Sequence, residues 1–379
     1  LKSNLGHLIT VAGVAGLLKV LGALRTGTRP PSRPVEQPLD AIDGTPLRIL
    51  QAPEPWNVEP STPRRAAVSA FGFGGNNAHL IVEEWLPDSE AKADSQSFQA
   101  PHRSAIAIVD LEITTGPFEN AEQFRQALLR GEKGSRVETV DVALTGLRFP
   151  PNDLKHTLPQ QTLVLEVARR LAARNAHLLG ESTSVFVGMG CDPEIARYSS
   201  RWRLDGWAER WKEEGEPITD DWIQAAKSAL IPGLEAAGVV GTMPNIPANR
   251  INTQLNYLGP SYTIAAEELS GIRALECAVD ALQKGEIDAA LVGAVDLSDE
   301  VVHQTAAARL LDIYRQDAGD AAVVLLLKRV EDAERDGDAI LAIVDEHLLE
   351  KPPVDEPNPL HLGLASNVPA LTAQFGHAH

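Results

Sequence analysis

Several short stretches of the sequence carry side chains whose types and spacing could do chemistry. His7 closes the hexapeptide KSNLGH (2 to 7), and imidazole is the side chain most often used to move protons near neutral pH. Glu267 and Glu268 stand in GPSYTIAAEELSG (259 to 271), between a run rich in Tyr, Thr and Ile and a segment of helical spacing. At such a strand-to-helix turn a side chain projects from the strand tip into a cleft, beside the partial positive charge of a helix N-terminus, where many enzymes hold a nucleophile. Each stretch also has a plainer reading. A histidine taken alone is more often an ordinary packed side chain, and acids in the first turn of a helix gain ~0.3 to 1 kcal/mol from the dipole alone. Gly72, Gly74 and Gly75 could cradle a phosphate, but they lie between two strand-like runs and open no helix with a Lys, which argues against a P-loop. GMGCDP (188 to 193) lacks the third glycine and the spaced acid of a dinucleotide site. Cys191 and Cys277 show neither CxxC nor Cys/His spacing, so no disulfide framework and no metal site is expected.

The elements that must position these residues follow from periodicity. Ser261 to Ile264 form a strand, and GIRALECAVDALQKG places Ile272, Leu275, Ala278, Val279 and Leu282 on one helix face, with a glycine at the end. The run Leu8 to Leu24 carries Lys19 and many small residues, so it reads as a buried helix in close contact with neighbours and not as a membrane span. Gly13 and Gly16 inside it cost up to ~1 kcal/mol each and call for close packing of another backbone. The Pro-rich segment Arg29 to Pro63 reads as an extended crossing with short strands at best, such as Leu47 to Leu50. Strands follow at Ala66 to Ala70 and His79 to Val82. Pro87 to Ser104 is polar and aperiodic, a linker, and Ala105 to Val109 starts a new apolar strand. Further strands are expected at Ser184 to Val187, within 287 to 297 and from residue 320, with a helix over 158 to 174. Trp202, Trp207, Trp211 and Trp222 are interleaved with Arg and Glu, a composition that suits packing onto a partner subunit.

Composition narrows the function classes. At 379 residues the chain can build two or three domains, and a net charge of -18 repels a phosphate backbone, which argues against nucleic acid as a partner. Cysteine usage fits a reducing cytoplasm. No Met opens the sequence, and both ends read as cut from a longer polypeptide.

KSNLGH followed by AGVAGLLK resembles the segment of β-ketoacyl synthases that carries their second catalytic histidine. RRAAVSAFGFGGNNAH (64 to 79) resembles the synthase ending RRAGVSSFGFGGTNAH, with Asn76 for the usual Thr. SAIAIVD resembles the start IAIVGMG, with Asp110 for a glycine, and GPSYTIAAEEL resembles the elbow GPSYTIDTACS with Glu268 in the place of the acylated cysteine. A carboxylate cannot hold an acyl chain as a thioester, so this second part resembles a chain length factor, the noncatalytic partner of a ketosynthase. GMGCDPEIARYSSRWRL brings it nearest to those of polyunsaturated fatty acid synthases. The final AQFGHAH matches NLGHLI in place, an internal repeat that makes His377 the counterpart of His7.

The resemblance implies an α/β, thiolase-like fold layered αβαβα, present as the C-terminal part of one unit (1–86), a linker (87–103) and the N-terminal part of a second (104–379). It implies an acyltransferase that condenses malonyl and acyl thioesters with loss of CO2 in fatty acid or polyketide elongation. His7 and Lys2 would be catalytic, Lys2 through electrostatic support of the histidine, with Asn4 supporting them. Phe73 would gate the acyl pocket and offer its N–H as an oxyanion donor, supported by Gly74 and Gly75. The implied partners are an acyl carrier protein bearing phosphopantetheine, other synthase domains, and a ketosynthase paired with its chain length factor. Two alternatives remain open from residues alone: a noncatalytic assembly module of a megasynthase, and a degradative thiolase, for which neither cysteine is placed.

Overall fold

The computed structural model describes residues 1–32, 36–37, 39–72, 75, 77–86, 104–177, 179–180, 182–313, 316 and 319–344. The chain divides into two compact units, Leu1–Gln99 and Ala100–His379.

In the first unit a short helical turn, Lys2–Leu5, leads through Gly6 and His7 to helix α1, Ala12–Thr26. Strands β1 (Arg65–Phe71) and β2 (Asn77–Glu83) pair antiparallel from Arg65↔Glu83 to Phe71↔Asn77. Alternate residues of β1 face α1, and there the glycines matter. A Cβ on Gly13 would lie 3.0 Å from Cβ of Ala70, and one on Gly16 would lie 3.1 Å from Cγ1 of Val68. The close packing expected of these glycines is present, though against side chains of β1 and not another backbone, and the helix as a whole is not buried. Ala23 is its one buried residue, while Val14 and Leu18 are more than half exposed. A two-stranded ribbon is too narrow to cover more than the small-residue side of the helix. Leu47 to Leu50 form no strand; Thr28–Arg29 and Glu54–Pro55 pair instead.

Among the described residues, the second unit is built on a six-stranded mixed sheet. Its strands are β3 (Ile106–Thr115), β4 (Ser184–Met189), β5 (Ser261–Ile264), β6 (Ala289–Leu297), β7 (Asp320–Arg329) and β8 (Ala342–Val344), in the order β8-β3-β7-β6-β4-β5. β4 is parallel to both β5 and β6, and the remaining pairs are antiparallel. Every residue of β4 is buried, which is why the segment reads as an unbroken apolar run and not an alternating one. Val185, Val187 and Met189 of β4, with Leu291 of β6, pack against helix α3 (Pro159–Arg174), which follows α2 (Ala121–Arg130) in the chain. Phe186, Ala290 and Val292 pack against the helix after the elbow, Ser270–Gln283, on the other face. The period of two divides the core into two layers, and the unit is helix, sheet, helix.

The first strand runs longer than its apolar start suggests and shifts register between Ile108 and Asp110, so Val109 is the extra residue of a bulge. Asp110 accepts hydrogen bonds from Arg174 Nε at 2.7 Å and Asn175 Nδ2 at 2.6 Å, tying β3 to the end of α3. Burial alone would raise its carboxyl pKa; these bonds and the Leu111 N–H outweigh it and hold the group below its ordinary value.

The tryptophan-rich segment forms an antiparallel hairpin of α4 (Ala196–Glu213) and α5 (Asp220–Leu230), the latter capped by Thr219. The expectation of partner packing is corrected for two of its rings, Trp207 and Trp211, while Trp222 is 44% exposed. Trp207 and Trp211 lie with centroids 6.5 Å apart, Trp211 and Trp222 lie 6.3 Å apart, and Trp207 and Trp211 pack around Leu204, Ala208 and Ile223. The hairpin needs these rings to make a core of its own. Trp202 is 87% exposed.

Candidate active site

The elbow is assembled from β5, which follows α6 (Ile246–Leu255), its turn and α7 (Ser270–Gln283). Ser261 to Ile264 and the helix stand where their periodicity places them, but the two glutamates are not in the first helical turn. Leu269 is the N-cap and no acid lies in the first turn, so Glu267 and Glu268 sit in the connection itself. Ser270 makes that connection tight. Its buried hydroxyl accepts the Ala266 N–H at 3.0 Å and donates to the Glu267 carbonyl at 2.6 Å, while its own N–H reaches the same carbonyl at 3.1 Å. With these bonds in place Glu267 is held at φ 54°, a left-handed conformation that costs a non-glycine residue roughly 1 kcal/mol or more. Glu267 is exposed, and Glu268 is half-buried and bridges to Ala266. The helix start presses on β4: a Cβ on Gly188 would lie 2.4 Å from the Ser270 carbonyl carbon and from the Gly271 nitrogen. Ser270 and Gly188 carry the geometry of the elbow, yet neither stands out in the sequence as a functional residue. Ser270 sits inside the quoted motif, where its spacing of three from Glu267 is the available signal.

In the first unit, His7 is exposed, and its Nδ1 accepts the backbone N–H of Ile9 at 3.0 Å. That bond assigns the tautomer. The neutral ring carries its proton on Nε2, so the free edge is a donor. Gly6, at φ 76°, and Ile9, at φ 49°, bend the chain on either side of the ring. Lys2 and Asn4 are exposed in the preceding helical turn, where Ser3 Oγ donates to Asn4 Oδ1 at 3.3 Å. Gly75, in the loop between β1 and β2, adopts φ 90°. Phe73, Gly74, Asn76 and His377 lie outside the described residues, as does the linker 87–103.

No group of His, Cys, Asp and Glu among the described residues is arranged to hold a metal ion. None of their helices is long and apolar enough to cross a membrane. Cys277 is half-buried on α7, and Cys191 is exposed in the turn after β4; neither is at the elbow position. A depression lined by Glu166, Arg169, Arg170, Ala173 and Leu255 lies against α3 and is no part of the elbow.

Comparison with known proteins places these features. The profile of the β-ketoacyl synthase N-terminal domain matches residues 141–333, and that of the β-ketoacyl synthase C-terminal domain matches residues 1–36, ahead of it in the chain. A polyunsaturated fatty acid synthase polypeptide of Thraustochytrium sp. is 28% identical over 395 aligned residues, covering 91% of this chain and 19% of that protein. Erythronolide synthase EryA2 of Saccharopolyspora erythraea is 29% identical over 338 residues, covering 86% of this chain and 9% of its own length. Among solved structures, the PfaC keto synthase-chain length factor superposes with a TM-score of 0.71 at 26% identity, over 87% of this chain and 40% of that one. The chain thus spans a fifth or less of the curated relatives it matches. The expected α/β, thiolase-like class and the expected family are both borne out. The chain belongs to the β-ketoacyl synthase family.

Proposed function

We propose that this chain is the junction between a ketosynthase and a chain-length-factor-like ketosynthase in a fatty acid or polyketide synthase. On this reading residues 1–86 end the first, 87–103 link them and 104–379 begin the second. The reaction served is decarboxylative Claisen condensation, an acyl transfer. Malonyl on the phosphopantetheine arm of a carrier protein loses CO2, and the electron pair of the broken C–C bond forms an enolate. Its carbon attacks an acyl thioester, a new C–C bond forms, and a cysteine thiolate leaves.

The observation that carries the reading is the His7 tautomer. An enolate oxygen needs a hydrogen-bond donor at the moment its charge appears, and a ring held by Ile9 through Nδ1 offers Nε2–H with no reorganisation. Lys2 and Asn4 support its placement through charge and hydrogen bonding, and Phe73, with Gly74 and Gly75, would form the acyl gate and oxyanion donor. The second unit holds no acyl chain, because Glu268 stands in the nucleophile's place. It serves as the partner that shapes the acyl site.

In the full synthase, His7→Ala is expected to cut elongation by ~100-fold to 1,000-fold, the scale of losing one oxyanion donor, while self-acylation of the synthase cysteine persists. Single-turnover assays of each half-reaction check this. Equal loss of both would make His7 a structural residue.

A further inference from the structure

Glu166, Arg169, Arg170 and Ala173 recur at helical spacing along α3, apart from its buried Val167, Ala168 and Leu171. With Leu255, the last residue of α6, they line a depression of about 310 Å³. Its surroundings are fastened from both helices. Arg169 donates from Nη1 to the Ala143 carbonyl at 2.8 Å and from Nη2 to the Thr145 carbonyl at 2.9 Å. Gln254 of α6 donates to the Gly146 carbonyl at 2.8 Å and accepts the Arg148 N–H at 2.9 Å. Both helices thus hold the same segment, 143–148, and the gap between them is preformed.

Charge in the depression is not balanced. Glu166 is matched by Arg169, with Nη1 to Oε2 at 2.8 Å. Arg170 is anchored by Nη2 on Thr114 Oγ1 at 2.7 Å, and the hydroxyl's own proton goes to the Glu119 carbonyl at 3.0 Å. Among the described residues no carboxylate pairs with Arg170; its Nε is buried without an acceptor and its Nη1 has none either. Asp110 and Glu112, on the same strand as Thr114, belong to Arg174. Arg148, fixed beside Leu255 by Asn256 Oδ1 at 3.1 Å, also has no carboxylate among the described residues. In a chain of net charge -18 this is a local reversal of sign.

We propose that this depression binds a small monocarboxylate, with the carboxylate on Arg170 and the apolar part on Ala173 and Leu255. A guanidinium already anchored through Nη2 loses little freedom when its free N–H groups take an oxyanion, and a charge-assisted bond is stronger than a neutral one. The lining also sets the ligand's class. Glu166 opposes a second negative charge, which disfavours a phosphate dianion, and the apolar wall gives nothing to a bare ion. At this volume the apolar part is short. The site is no part of the elbow, so it stands apart from the proposed condensation.

Saturation-transfer NMR on the full chain, with butyrate as the probe at constant ionic strength, tests the site. Butyrate is expected to bind saturably at ~1 to 50 mM and ~10-fold more tightly than butanol, and inorganic phosphate should displace it only at ~10-fold higher concentration. Arg170→Gln keeps a donor for Thr114 and removes the charge; it should weaken butyrate binding ~10-fold to 100-fold, the scale of one charge-assisted hydrogen bond. Ala173→Leu leaves Arg170 in place and fills the depression. It should have a similar effect, and it decides if the first variant fails to fold. No saturable binding below about 50 mM, butanol or phosphate binding as tightly as butyrate, or unchanged affinity in the folded variants would overturn the proposal.

Discussion

At the scale of single residues, Glu268 poses the sharpest question, because on the proposed reading it stands in the nucleophile's place without the nucleophile's chemistry. It is half-buried behind a turn strained at Glu267 and fastened by Ser270. Such a side chain can act as a strut for the acyl site or as a participant in malonyl decarboxylation. An anion facing the malonyl carboxylate would repel it, which favours the strut. Glu268→Gln in the full synthase is therefore expected to leave elongation within about threefold of the parent, since shape and most hydrogen bonding persist. CO2 release from malonyl carrier protein, in a synthase whose acylated cysteine has been replaced, should likewise survive Glu268→Ala. A residual rate that vanishes in a folded Glu268→Ala variant would assign the carboxylate to chemistry.

At the scale of elements, the elbow depends on contact between the start of α7 and β4. A methyl group on Gly188 meets backbone atoms that cannot rotate away. Gly188→Ala is expected to destabilise the second unit by ~2 to 3 kcal/mol, the upper range for overpacking, read as a lowered denaturation midpoint. A change below about 0.5 kcal/mol would mean that the helix start yields freely. Much at this scale is legible in the sequence. Ser261 to Ile264, the Pro159–Arg174 helix and the buried run of β4 are announced by β-branched residues, helical spacing and continuous hydrophobicity. Contacts between residues distant in the chain are not. The hairpin core with Trp207 and Trp211 looks like an interface, because composition is the same whether rings meet each other or a partner. The glutamates read as first-turn residues of a helix, because the Ser270 hydroxyl that tightens the connection ahead of the helix leaves no periodicity to read. The pairing of Arg197 with Glu300 joins positions about a hundred residues apart, beyond any local pattern.

At the scale of the whole molecule, 52 acidic residues against 34 basic ones leave a net charge of -18, more than its ion pairs can absorb. Self-repulsion of that kind weakens with screening, so raising salt from ~20 to ~200 mM should raise the thermal midpoint by a few degrees. A constant or lower midpoint would show that local pairs, such as Arg197 with Glu194, outweigh the general field. Sheet order has another consequence, for synthesis on the ribosome. β3 is made first in the second unit, yet its neighbours are β7 and β8, the last strands of the sheet. About two hundred residues separate the start of β3 from its partners in β7, so at ~5 to 20 residues per second it waits roughly 10 to 40 s to be seated. The growing chain therefore carries an unpaired, largely apolar strand of ten residues until β7 emerges to seat it.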